Sequence, residues 1–189
     1  MTRNTSTASL GRAVLIGAGA GVIASVVMAM YAMLAAYAKD TGFFTPLYHI
    51  ASLWASPDSM MASMQAAGAG TAFHFVFGTA ALGAVIHIMT GAVYGAIFGL
   101  ITSRLHLGLA AFAGIGLVYG FLVFAVSAYV GLPVAAAIFG SGDPIRNMAA
   151  LAGWGTFIIE HLLYGLTLGL LVGRAAARTS PAPAQAGAH

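Results

Sequence analysis

The sequence predicts an all-α fold: a four-helix transmembrane bundle with short amphipathic interfacial helices in its first outer loop. Three observations carry this. Of 189 residues, 60% are hydrophobic and 6% charged, whereas a soluble domain carries about 25% charged residues. The mean hydropathy is +0.95. Four stretches, about 13–38, 73–102, 107–130 and 149–173, hold almost no charge. Each exceeds the ~20 apolar residues that cross ~30 Å of hydrocarbon. They lack internal proline and the short alternating segments of a β-barrel, so they read as helices.

The same composition excludes a soluble enzyme and a nucleic-acid-binding domain. The net charge of +3 reflects scarcity of charge and not a basic patch. No cysteine is present, which removes disulfides, thiolate metal sites and thiol nucleophiles. No G-x-S-x-G occurs, and Gly17 to Gly21 lies inside a span without a preceding strand, so it is no nucleotide loop. The chain reads as non-enzymatic. Its partners are the lipid bilayer and, by expectation, a second copy or a membrane-complex subunit.

In chain order, residues 1–12 form a short cytoplasmic segment carrying Arg3 and Arg12. The first apolar run exceeds the about 7–15 residues of a signal-peptide core, so it is read as an uncleaved span. In the loop that follows, Leu47, Tyr48, Ile50, Leu53 and Trp54 cluster after Pro46, which suits an interfacial helix. Pro57-Asp58, with Ser56 as N-cap, opens a second short helix through Met60, Met61 and Met64. Gly68 and Gly70 then break it. The link Ser103 to His106 is short, which predicts that spans two and three form an antiparallel hairpin. Gly131 to Asn147, with Pro133, Gly140, Gly142 and Pro144, reads as a second outer loop. Residues 13–173 thus make the transmembrane domain, and the Ala/Pro-rich 174–189 a disordered cytoplasmic tail.

Orientation follows from Arg3, Arg12, Arg104, Arg174 and Arg178 on one side against Lys39 and Arg146 on the other. The positive-inside rule puts both termini in the cytoplasm of a bacterial inner membrane. A weak repeat is visible. Tyr94 to Leu100 and Tyr164 to Leu170 share Y-G-x-x-x-G-L, while Ala18 to Gly21 and Ala113 to Gly116 share A-G-x-G. That describes two helix pairs in one orientation, a parallel repeat.

Glu160 is the only acid inside a span, and such a group marks a functional site by default. Helical rise puts it ~21 Å from Arg174 and His87 ~25 Å from Arg104. Tyr119 and Ser25 fall at nearly the same level, ~20 Å from His106 and Arg12. At 100° per residue, His87, Gly91 and Tyr94 share one face and Glu160, Tyr164 and Thr156 another. The candidate polar centre is therefore Glu160, His87 and Tyr164, with His161 and Tyr119 next. Gly21, Ser25, Gly91, Gly95, Gly165 and Gly169 read as helix-packing positions. No cofactor is required by this reading. Two alternatives are haem b between His87 and His161, or a metal ion on His87, Glu160 and His161. A soft set of Met60, Met61, Met64, His49 and His74 in the outer loop would suit Cu(I). The bland alternative is a buried network that only fixes helix register.

The order of these features resembles the small four-helix bacterial inner-membrane proteins of the YagU-like group. The residues are the glycine-rich first span, Ala72-Phe73-His74 leading into Ile86-His87-Ile88, Gly131-Leu132-Pro133, and Glu160-His161-Leu162-Leu163-Tyr164-Gly165. The resemblance spans about residues 12–173. In that group the last span resembles E-x-x-G-H-L, whereas here Glu160 directly precedes His161. The resemblance implies a fold and no mechanism. The functional expectation is a membrane protein whose His/Glu centre serves proton or small-solute movement or subunit docking. The alternatives are a haem- or metal-binding subunit and a structural assembly factor.

Overall fold

The computed structural model describes residues 4–179. Among them are nine α-helices and no strand. Four helices are long and apolar enough to cross a membrane: α1 (Asn4–Ala38), α4 (Phe77–Thr102), α9 (Trp154–Thr179), and the rod that α5 (Leu109–Val126) begins. Shorter helices cap one end: α2 (Thr45–Ala51), α3 (Asp58–Gly68), α6 (Leu132–Phe139), α7 (Gly142–Arg146) and α8 (Met148–Ala152). The outer surface of the long helices is apolar, with Leu15, Ile23, Val93, Ile101, Val118 and Leu122 exposed. An apolar surface of this extent is matched by lipid, not water.

Glycine decides which helices pair. A Cβ built on Gly17, Gly21, Gly95 or Gly99 would overlap the backbone of the facing helix, so α1 and α4 pack backbone to backbone. Gly116, Gly120, Gly165 and Gly169 do the same for α5 and α9. Small residues permit such approach, and dispersion then holds the helices together without help from a hydrophobic effect. α1 also packs along α9, which joins the two pairs. Spans two and three are joined by the short link the sequence predicts, between Thr102 and Leu109, but they are not packed closely together. α4 and α5 are neighbours in sequence but share no close-packed seam. They meet through long side chains, as where the Tyr119 hydroxyl donates to Tyr94 O at 2.7 Å. The glycine face of α4 is already taken by α1.

The two pairs repeat each other in detail. Gly17 meets Gly95 O and Gly99, and Gly116 meets Gly165 O and Gly169. Gly21 meets Gly91 O and Gly95, and Gly120 meets His161 O and Gly165. Span two therefore maps onto span four by the expected 70 residues (95 to 165). Span one maps onto span three by 99 (17 to 116), not by the 95 that A-G-x-G suggested (18 to 113). A small-residue motif with a four-residue period matches itself equally well one turn away.

Several boundaries differ from the sequence reading. α1 begins at Asn4, before residue 13, and α9 runs through residues 174–179 of the expected tail. Alanine and arginine are strong helix formers, so α9 continues past its apolar run through Arg174 to Arg178. Residues 180–189 of that tail lie outside the described residues. α4 starts at Phe77, after a non-helical stretch at 74–76 in which Tyr48 takes over the backbone bonding. Its hydroxyl donates to His74 O at 3.0 Å and accepts from Val76 N–H at 2.8 Å. Gly153, with φ +89°, separates α8 from α9, so span four begins at Trp154 instead of 149. The third span does not stop at 130. A π-helical turn at Ser127–Gly131 carries α5 into α6, giving an apolar rod Leu109–Phe139. The Leu132 N–H bonds Ser127 O, and this wider winding accommodates Pro133, which has no N–H to offer Tyr129.

The cap also differs from a pair of surface-lying helices. α2 is tucked onto α4, with Tyr48 and Ala51 fully buried. The Leu47 carbonyl rests where a Cβ on Gly83 would stand. α3 buries Ser63 and Ala67, while Met61 and Met64 are exposed. Around this end runs an aromatic band. Tyr37, Phe43, Phe44, Phe73, Phe75 and Phe77 form successive ring contacts, and Tyr129 stacks on Trp154 at 5.8 Å. Aromatic side chains of this kind sit at the membrane–water boundary.

Candidate functional site

At the terminal end a second pocket of about 430 Å³ opens among Arg12, Ile16, Thr102 and Val172, but midway along the bundle the space between the two glycine-packed pairs is filled. Ala20, Ala24, Phe98, Phe112, Leu168 and Val172 fill it. Toward the capped end, α1 presents Met28 and then Ala29, Ala32 and Ala36 to the interior, and the three small alanines do not fill the space. The result is a cavity of about 450 Å³ roofed by residues of α2, α3, α7 and α8. Its rim includes exposed Lys39, Met64 and Leu151. Its walls include Ile86, Leu53, Met148 and Phe157.

Four of the five residues of the expected polar centre line this cavity: Glu160, His87, His161 and Tyr164. Tyr119 is not in the lining. It packs on Phe98 with ring centroids 5.0 Å apart and is bonded to Tyr94 O. Tyr164 reaches from α9 to α4, donating to Gly91 O at 2.7 Å. These two tyrosines bolt the α5/α9 pair to α4. Of the packing set, Gly21, Gly91, Gly95, Gly165 and Gly169 stand in the seams. Ser25 donates its hydroxyl to Gly21 O at 2.8 Å and lines the cavity as well.

His87 and Glu160 do not form the hydrogen-bonded pair the sequence suggested. The His87 Nε2 bonds Ser25 O at 3.0 Å, across the α1–α4 seam. His161 Nδ1 bonds Phe157 O one turn back at 2.7 Å, and its ring packs against Phe157 and Phe124. Glu160 is 6% exposed and accepts no hydrogen bond from any described residue. Its oxygens are nevertheless not sealed in protein. Among the described residues the only sealed side-chain polar atom without a partner is Ser141 Oγ. The carboxyl is therefore reached from the cavity.

Lys39 is the residue that sequence reasoning missed. It was counted as an outer-loop charge. Instead its ammonium turns over the rim, donating to Ala152 O at 2.9 Å and to Thr156 Oγ1. Thr156 is one turn before Glu160, and Lys39 is the charge whose field acts on Glu160. Gly153 makes room, since a Cβ there would lie 3.1 Å from the Lys39 Nζ. A signal existed. Ser25, Ala32 and Lys39 are spaced by seven residues, so Lys39 continues the small-residue stripe of α1.

Of the soft set, Met60, Met64 and His49 line the cavity, while Met61 and His74 do not. His49 is held by a 2.6 Å bond from Nε2 to Pro144 O, which ties α2 to α7. Burial pushes the His49 pKa below the ordinary imidazole value, partly offset by that bond. Among the described residues no three His, Cys, Asp or Glu side chains stand close enough together to hold a metal ion. A haem ligated by His87 would have to take Nδ1 or break the bond to Ser25. Comparison with known proteins gives no match: no family model, no curated protein and no solved structure is similar to this chain.

Proposed function

We propose that this is a multi-pass protein of the bacterial inner membrane, with cytoplasmic termini, that binds a small amphipathic molecule in the cavity around Glu160, His87 and His161. The ligand reaches it from the periplasmic side. The balance of five basic residues against two supports the orientation. The observation that carries the binding reading is the state of Glu160. A residue kept only to fix helix register is hydrogen-bonded, as Tyr164 and Tyr119 are. Glu160 is buried, has no such bond, and opens onto a volume within the range of small-molecule sites. A carboxyl desolvated without a partner is costly in a membrane. A ligand that supplies the partner removes that penalty.

The test is native mass spectrometry of the full chain released from lipid nanodiscs, alongside thermal unfolding against a panel of small amphiphiles. Ala32→Phe fills the cavity from α1. The expected result is a retained or stabilising small molecule with the natural protein and its loss in Ala32→Phe. If no compound is retained by, or stabilises, either protein, the binding reading fails.

A further inference from the structure

The hydrogen bonds already made around the cavity leave it with a one-sided chemistry, and we infer from this what kind of ligand it takes. Each cavity histidine has one ring nitrogen bonded to a backbone carbonyl: His49 to Pro144 O, His87 to Ser25 O and His161 to Phe157 O. A carbonyl can only accept, so each of those nitrogens carries the proton. In the neutral ring the other nitrogen is then an acceptor: Nδ1 of His49, Nδ1 of His87 and Nε2 of His161.

The hydroxyls show the same bias. Ser25 donates to Gly21 O, Thr41 to Ala36 O, Thr90 to Ile86 O and Tyr164 to Gly91 O. Lys39 has already directed two of its N–H groups at Ala152 O and Thr156 Oγ1. The carboxylate of Glu160 is acceptor-only when ionised. The cavity thus has most of its donors engaged and its strongest acceptors open. Three imidazole lone pairs and a carboxylate would suit a metal ion if they converged, but no three of these groups stand together. The acceptors are spread along the wall of a volume of about 450 Å³. One cationic N–H donor group on an organic body, and not a bare metal ion, matches a wall with a single carboxylate and scattered neutral acceptors.

The geometry points to a protonated organic amine with an apolar body as the ligand class. Its ammonium donates to Glu160, and its body lies among Met28, Leu53, Ile86 and Met148. A neutral amine meeting a protonated Glu160 reaches the same ion pair by transfer of one proton from carboxyl to nitrogen. Carboxylates and phosphates would set their charge against Glu160 and find only the hydroxyls of Tyr94, Ser127 and Thr156 and the third N–H of Lys39 left to donate, so the inventory favours the amine over them. The inference rests on the binding reading above and narrows it.

A matched series tests it: 4-phenylbutylamine, 4-phenyl-1-butanol and 4-phenylbutyrate, titrated calorimetrically into the full chain in lipid nanodiscs with empty nanodiscs subtracted. A hydrogen bond to a charged partner is worth more than a neutral one, which predicts that the amine binds about tenfold tighter than the alcohol. The carboxylate gives no saturable heat. In Glu160→Gln, the amine falls to the affinity of the alcohol. An amine no tighter than the alcohol, or a carboxylate tighter than both, overturns the amine inference and leaves the cavity as a binding site for something else. No saturable binding of any of the three, together with no adduct in the mass-spectrometric test, overturns both. The ranking on the natural protein decides even if Glu160→Gln does not fold.

Discussion

Gly21 and Gly19 lie two residues apart on α1, and the same substitution at each should have opposite effects. A Cβ on Gly21 would overlap Gly91 O and come within 3.0 Å of Gly95 Cα. A Cβ on Gly19 would meet nothing within 4 Å. The Gly91 and Gly95 neighbours are backbone and cannot rotate away. Relief requires α1 and α4 to part by about 1 Å, a gap that forfeits a quarter to a half of the dispersion energy of each contact it opens. Overpacking of this kind costs about 1–3 kcal/mol. Alanine is itself a better helix former than glycine by about 1 kcal/mol. Gly21→Ala should therefore be less stable by about 1 kcal/mol net, and Gly19→Ala more stable by up to about 1 kcal/mol. At roughly 2–4 °C per kcal/mol for a chain of this length, Gly21→Ala should melt about 2–4 °C lower. Gly120→Ala should match it, because Gly120 meets His161 O and Gly165 Cα at the same separations. Circular dichroism melts of the variants in one detergent are the assay. If Gly19→Ala and Gly21→Ala melt together, the backbone seam is not what holds α1 to α4.

Other outcomes follow from the same structure. Because His49 has a lowered pKa in the folded state, the unfolded chain binds more protons in mild acid. Stability of the α2 cap should hold above the ordinary imidazole pKa of about 6.5 and decline as pH falls below it. Hydrogen exchange of α2 amides at pH 7 and pH 5 should show this in the natural protein and much less in His49→Gln. Lys39→Met removes the cation facing Glu160 and should tighten 4-phenylbutylamine binding a few-fold by calorimetry; weaker binding would mean that Lys39 holds the rim in its binding shape. Reporter fusions after Arg104 and Thr179 should read cytoplasmic and one near Gly142 external. A cytoplasmic signal at Gly142 would reverse the proposed orientation.

The parts of this fold that were legible in the sequence are those set by composition along one helix. Four apolar runs give four spans, and 3.6-residue periodicity placed Glu160 and Tyr164 on one face. The parts that were not legible depend on how two helices meet. Small-residue spacing named Gly21, Gly91 and Gly95 as packing positions but left the register of span one against span three a turn out. Pro133 and Gly131 read as breakers because a π-helical turn has no composition signature of its own. Lys39 counted as a loop charge because charge was weighed without its angular position. The cavity itself could not be read, since an unfilled volume is a property of four helices and a cap together. Tyr119 was grouped with the centre by depth alone, but its hydroxyl goes to Tyr94 O and it does not line the cavity.

The near-identity of the two glycine seams makes their differences informative. Shifting α4 by 70 residues onto α9 pairs Gly95 with Gly165 and Gly99 with Gly169, like with like. One turn further toward the cap the pairing fails: Gly91 falls on His161, Thr90 on Glu160 and His87 on Phe157. Four of the cavity's polar residues thus occupy positions where one half of the molecule departs from the other. The duplicated portion is a frame that could be built twice from the same plan, and the chemistry sits on the unduplicated turn. Exchanging that turn alone, with the seams untouched, would change what the cavity recognises while leaving intact the contacts that make the bundle.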